Sequence, residues 1–348
     1  MRRLSLALLL PALATAGDLD LDLSRYATVF RQDEVVDGIT VNCNRAPGDF
    51  CYAIPDNQKF YSLSSELAIV LAPKFLMPAE TVGFSGFSFG FQTGFTAISE
   101  EQEFWDAVQQ VDLDDPESER PASFLTTMGA MAHKGFFPSL QIGAGFNYLP
   151  RSGMMMPLVD VKFAIQEGFQ NFPLPEIAVR GSGGRMVGNS QMDLTLGGLD
   201  FSMSKAFGVA GTFNLTPFAG YQLLWIVADP EVIDATPNED AVAASRPAGG
   251  PQPVPQCSAN VADCNAYFVF FDPDPIIRHR VFVGIRLIIG KFNLTGEFAM
   301  AVKGASTEQF EEQQLLANGT VGPTGQLVTA KDQADKQPAA HVMLGLDF

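Results

Sequence analysis

The sequence predicts an all-β fold: an antiparallel up-and-down β-barrel of about ten strands that crosses a membrane, entered through an N-terminal extension. Three observations predict it. Apolar and polar residues alternate over many successive stretches, each long enough to span hydrocarbon as a tilted strand of about nine to eleven residues. The polar faces of these stretches carry charges deep inside the strand, where a water-facing lumen rather than a packed sandwich core would hold them. The composition agrees: 32 Gly and 29 Phe with only 18% charged residues suit aromatic-rich strands better than helical layers.

In chain order, Arg2 and Arg3, the apolar run 4–13 and Ala14-Thr15-Ala16 predict a secretory leader over residues 1–16. Residues 17–81 form an extension, periplasmic or lumenal, that is a candidate plug for the lumen. It opens with alternating Asp and Leu and contains Cys43, Cys51, Pro47 and Pro55. Its stretch 62–71 reads two ways. Leu63, Leu67, Val70 and Leu71 have helical spacing, with Ser62 or Ser64 as cap and Glu66 in the first turn. Leu63, Leu67, Ile69 and Leu71 also alternate as a strand would. If that stretch is a strand, parity requires another before it, around residues 19–30, and the barrel has twelve.

The barrel is expected over residues 82–348. Phe87, Phe89, Phe91 and Phe95 share a face, and Val82 and Phe84 lie out of phase with them, which predicts a bulge near Gly86. The clearest strand sets Leu140, Ile142, Ala144, Phe146 and Tyr148 against Gln141, Gly143, Gly145 and Asn147. In the next, Val159, Val161, Phe163 and Ile165 alternate with Asp160 and Lys162. Ile177 and Val179 then face away from Glu176 and Arg180. Met192, Leu194 and Leu196 alternate with Asp193, and a phase slip is expected at Gly197-Gly198. Farther on, Val281, Val283, Ile285 and Leu287 oppose Arg280 and Arg286, and after a turn at Gly290-Lys291, Leu294, Phe298 and Met300 oppose Glu297 and Lys303. The lumen-lining candidates are therefore Asp160, Lys162, Glu176, Arg180, Asp193, Arg280, Arg286, Glu297 and Lys303. Their mixed signs suit mutual neutralisation in a narrow lumen as well as they suit a permeation path.

The last strand places Val342, Leu344, Leu346 and Phe348 on one face and His341, Met343, Gly345 and Asp347 on the other. It resembles the closing strand of bacterial outer-membrane β-barrels, which their assembly machinery reads. That resemblance implies an outer-membrane location, contact with outer-membrane lipid and lipopolysaccharide, and the barrel assembly machinery as a partner. Counted back from this strand, the long connections (304–339, 229–277 and the acid-rich 100–119) all fall on the outer side, and the short ones on the inner side. Apolar residues 63–76 ahead of the first strand are similar in layout to the hatch of fatty-acid transport barrels, although the Asn-Pro-Ala signature often seen there is replaced by Met77-Pro78-Ala79.

The net charge of −17 argues against a nucleic-acid partner, which needs a basic face. Cys43 with Cys51, and Cys257 with Cys264, form two local pairs without C-x-x-C spacing. In an exported chain each pair is expected to close a disulfide loop. His133, His279 and His341 belong to different strands. Only His279 lies near carboxylates at the outer mouth, and the Asp-x-His arrangement of ten-stranded outer-membrane proteases of the omptin type is not reproduced. No catalytic, cofactor or metal site is expected; Asp112 to Asp115 lacks the turning Gly of a Ca²⁺ loop. The function expected is passive passage of small solutes, apolar ones included. The alternative is a non-conducting barrel that displays its loops for adhesion or envelope structure, with a barrel enzyme as a minor one.

Overall fold

The computed structural model describes residues 19–45, 47–108, 121–137, 139–166, 174–209, 213–237 and 265–348. The predicted leader and residues 109–120 of the acid-rich stretch lie outside the described residues. So do Cys257 and Cys264, and with them the second expected disulfide loop. Ten strands make the wall: β1 Phe87–Ala97, β2 Phe124–Phe137, β3 Leu140–Tyr148, β4 Met155–Gln166, β5 Glu176–Arg185, β6 Met192–Ser204, β7 Phe213–Pro230, β8 Ile276–Ile289, β9 Phe292–Ala301 and β10 Gln337–Asp347. Each pairs antiparallel with its neighbours in sequence, and β10 returns to β1, so the sheet closes. Closure removes the free edges that a sheet would otherwise present in lipid.

The alternation fixes which face each side chain takes. Phe91, Val159, Leu344 and Phe298 point outward and are 65%, 61%, 63% and 49% exposed, as a lipid-facing wall requires. Tyr148, Tyr221 and Trp225 lie outward toward the end with the long connections. Phe136, Phe137, Phe207 and Phe348 lie outward at the other end, where Gly290 takes the positive φ of +63° needed to turn β8 into β9.

Three local expectations are corrected. Residues 62–71 are helical, within α1 (Asn57–Leu71), and the cap is Asp56, which accepts from the Lys59 amide at 3.1 Å, not Ser62 or Ser64. The wall begins at Phe87 rather than Val82. Residues 82–86 form a turn around Gly83 (φ +75°) and Ser85 (φ +64°), so no bulge is needed to explain the phase of Val82 and Phe84. The phase slip in β6 is absent: Met192, Leu194, Leu196, Asp200 and Ser204 all face inward. The apolar members of that row pack against α1, which is why an apolar run sits on the inner face there.

Residues 19–56 lie against the long-connection end, not beneath the short turns. The amide of Leu19 donates to the Arg151 carbonyl, that of Asp22 to Ala107 and that of Asn42 to Gly319. Two short strands, Ala27–Arg31 and Phe50–Pro55, pair there. Cys43 is joined to Cys51, the one disulfide among the described residues; Cys264, like Cys257, falls in a stretch the structure does not describe. The last long connection carries a hairpin, Thr307–Leu315 with Val321–Lys331, which the sequence reading missed. Among the described residues no helix is long and apolar enough to cross a membrane.

Candidate lumenal site

The register lines inward side chains up in a row across neighbouring strands. Gln141 on β3 stands beside Lys162, Lys162 beside Arg180, Arg180 beside Asp200, Asp200 beside Gln222 and Gln222 beside Arg280. This polar belt spans β3 to β8. Arg180 Nε donates to Asp200 Oδ2 at 2.5 Å, and Arg280 Nε donates to Gln222 Oε1 at 2.8 Å. On the remaining arc His341 Nδ1 lies 3.0 Å from Glu297 Oε1, and at the short-turn end Arg286 donates to Asp347 at 2.6 Å. Burial makes such pairs demanding, because each lost partner leaves an uncompensated charge.

One contact depends on a glycine. His133 on β2 and Asp160 on β4 meet at 3.2 Å across β3, over Gly143. A Cβ at position 143 would lie 2.3 Å from His133 Cδ2 and 2.6 Å from Asp160 Oδ2. Gly143→Val should therefore separate the pair and cost about 3 kcal/mol in denaturant unfolding of the refolded barrel; an unchanged midpoint would show that the two side chains do not depend on the gap.

Toward the long-connection end the inner wall becomes apolar. Met156 and Leu158 on β4, Leu194 and Leu196 on β6, Leu224 and Ile226 on β7 and Ile276 on β8 form one buried cluster with α1. Residues 60–71 of α1 are all buried, Ser62, Ser64, Ser65 and Glu66 along with the apolar ones, so each polar group the helix carries there needs a partner. Its one carboxylate, Glu66, is fully buried and accepts from the Ser99 amide at 3.0 Å, Ser99 Oγ at 2.6 Å, Trp105 Nε1 at 2.8 Å and the Asp335 amide at 3.2 Å. One residue before it, Ser65 donates to Asp332 at 2.6 Å and accepts from Arg278 at 2.7 Å. Burial pushes the Asp332 carboxyl above its usual range, against the pull of Arg278.

After α1 the chain runs as a strap, residues 72–82, through the polar half of the barrel. Pro73 and Pro78 have no amide to donate and keep the helix from continuing. The strap's carbonyls therefore need donors from elsewhere, and the wall supplies them. Asn147 reaches Leu71 and Ala72 at 3.0 Å each, Arg280 reaches Pro73 at 2.6 Å, Arg180 reaches Lys74 at 3.1 Å, and Lys162 reaches Pro78 at 3.0 Å and Glu80 at 2.6 Å. In return the Phe75 amide donates to Glu297 at 2.8 Å and the Ala79 amide to Ser204 at 3.1 Å. The Phe75 ring stacks on Phe282 at 3.8 Å, with the guanidinium groups of Arg280 and Arg180 at 4.6 and 5.3 Å from its centre. Two cavities beside the strap hold about 10 Å³ each, room for about one water.

Of the lumen-lining candidates, Asp160, Lys162, Glu176, Arg180, Arg280, Arg286 and Glu297 point inward and are buried. Asp193 does not: with no phase slip in β6 it faces outward and pairs with Arg185. Lys303 is exposed in the connection beyond β9. Asn147, Asp200, Gln222, Arg278, His133 and His341 also face the lumen and were not among the candidates. All but His133 had a visible signal, a polar side chain in phase with an accepted candidate, as Arg278 is with Arg280, or with the polar face of its own strand. His279 points outward against the Tyr221 hydroxyl. Among the described residues no group of His, Cys, Asp and Glu is arranged to hold a metal.

In the 19–56 segment at the long-connection end, the buried Tyr26 hydroxyl donates to the Phe104 carbonyl, and burial, then Asp106 and Asp56, push the phenol well above its ordinary value of about 10. A raised folded-state value makes this contribution complete below the unfolded value and lost as pH rises through the folded one. Proteolysis within residues 19–56 should accelerate above about pH 10, and Tyr26→Phe should flatten that rise while raising the rate at neutral pH.

A closed ten-stranded antiparallel barrel with an apolar outer wall is the architecture of bacterial outer-membrane β-barrels. No family model matches this chain, and neither does any curated relative. Among solved structures it is similar to the outer membrane protease OmpT from Escherichia coli, with a TM-score of 0.31 and 8% identity over 78% of this chain and 99% of that one. It is also similar to Ail, the attachment invasion locus protein of Yersinia pestis, with a TM-score of 0.24 and 6% identity over 76% of this chain and 99% of that one. Neisserial surface protein A gives a TM-score of 0.26 and 7% identity over 75% of this chain and 97% of that one. These likenesses assign no activity to this chain.

Proposed function

We propose that this protein is a closed outer-membrane barrel whose lumen anchors a disulfide-stapled platform on the cell surface. On this reading α1 and the strap close the lumen and tie residues 19–56 to the outer loops, and the barrel works by display rather than by conduction. The observation that carries it is the strap itself, whose carbonyls are held by side chains from β3, β4, β5 and β8 with cavities of only about 10 Å³ beside them. The hydrogen bonds from Asp22 to Ala107 and from Asn42 to Gly319, in two of the long connections, support the second half of the reading.

The test is single-channel recording of the full chain in planar bilayers, together with a tag placed before Leu19. A silent barrel and a tag reachable on intact cells are the expected results. Steady conductance from the intact chain would overturn the closure, and a tag reachable only after permeabilisation would overturn the platform.

Gated passage of small apolar solutes is the second reading, and the apolar collar favours it. If α1 moved outward, Met156, Leu194, Leu196 and Ile226 would line the vacated space. Binding of an alkane-chain solute that makes the chain conduct would move the choice to this reading.

A further inference from the structure

We infer that the outer wall carries a binding site for one glycerophospholipid, an acyl chain lying along β10 and its phosphate at Lys291. This goes beyond the closed lumen, which it neither needs nor tests. The wall is not uniformly convex. Along β10 the outward residues Leu344 and Leu346 are flanked by larger rings: Phe91 stands beside Leu344, and Phe89 and Phe292 stand on either side of Leu346. The shorter side chains between taller ones leave a trough of about 440 Å³, which extends to Leu287 and Ile289 on β8. That volume is in the range of small-molecule sites, roughly 300–1,000 Å³.

The position of the trough selects its occupant. It lies in the apolar belt of the wall, where Leu344 is 63% exposed and Phe292 70%, so hydrocarbon is what meets it. Its short-turn end opens beside the Gly290-Lys291 turn. There the Lys291 ammonium lies 5.2 Å from the centre of the Phe348 ring and is exposed. A second cation, Lys134, stands opposite Phe87 on the other flank and donates to the Ser85 carbonyl. A cation held by an aromatic ring at the level where chains give way to headgroups is complementary to a lipid phosphate. A chain in the trough and a phosphate at its mouth are the two ends of one phospholipid, and two such contacts hold better than a chain alone.

The test is native mass spectrometry of the full chain in a mild non-ionic detergent, titrated separately with phosphatidylethanolamine and phosphatidylglycerol. One lipid per chain should bind ahead of any further ones. Leu344→Trp, which occupies the trough, should weaken that first step about tenfold, the equivalent of roughly two buried methylenes. Val161→Trp, on a strand that does not border the trough, should leave it unchanged. Lys291→Glu should weaken the binding of both lipids, and heat-modifiable migration shows that each variant is folded. An unchanged first step in Leu344→Trp, or an equal loss in Val161→Trp, overturns the site. A loss in Leu344→Trp with none in Lys291→Glu overturns the phosphate contact and leaves only a groove for hydrocarbon.

Discussion

If the lumen is closed as proposed, deletion of residues 20–78 should convert a silent barrel into an open one. The wall's backbone hydrogen bonds are closed by its own ten strands, so removing the segment leaves no unpaired edge in lipid. What is lost is the packing of α1 against the apolar collar and the hydrogen bonds from Asn147, Lys162, Arg180 and Arg280 to the strap. Water replaces those bonds in the emptied lumen at modest net cost, about 1 kcal/mol each. At the long-connection end the opening has the width of the helix it held, roughly 10 Å with side chains, and along the polar belt it has the narrower width of a single chain, enough for ions. A barrel of about eight strands is just filled by its own side chains, so ten strands with a helix removed should conduct. Planar-bilayer recording of the deletion protein checks this. A folded, heat-modifiable deletion protein that stays silent would mean that the charged belt alone blocks the lumen. Failure to refold into detergent would make α1 part of the wall's stability rather than an occupant.

The wall was legible in the sequence because lipid imposes a strict rule on one face of each strand. Leu140 to Tyr148 could be assigned outward and inward without any partner, and the register of β3 follows from it. The rule reports that two faces differ, but not which one is inside. In β6 both faces carry apolar residues, since Met192, Leu194 and Leu196 meet α1 while Leu199, Phe201 and Met203 meet lipid. Reading every apolar residue as outward forced a phase slip that the chain does not have, and it sent Asp193 to the wrong face. The helix was ambiguous for a related reason. Every residue of stretch 62–71 is buried, Ser62, Ser64, Ser65 and Glu66 included. Polar and apolar residues therefore do not mark two opposite faces, and the contrast that separates a period of 3.6 from a period of 2 is missing. The decisive signal was Asp56, outside the stretch that was read. The strap left almost no trace, because its binding uses backbone carbonyls, which every residue has.

Glu66→Ala should release the long-connection end of the segment, with the largest stability loss of any single substitution in α1. The carboxylate is fully buried and takes four donors: the Ser99 amide and hydroxyl, the Trp105 indole and the Asp335 amide. Those donors come from the connection after β1 and the connection before β10. One side chain thereby fixes two connections at that end of the barrel onto the helix. Alanine strands several buried donors at once, and breaking a buried charged network in this way costs about 3–5 kcal/mol. Glu66→Gln keeps an acceptor of the same shape but adds an amide with nowhere to donate, and should cost about 1–2 kcal/mol. Trp105 is 1% exposed and reports the change directly. In a Trp225→Phe background its emission should shift to the red in Glu66→Ala, and protease should cut within residues 98–108 and 332–336 while the strands stay protected. If the emission and the cleavage pattern stay as in the parent, the loops are held by the surrounding apolar packing and Glu66 is not their anchor.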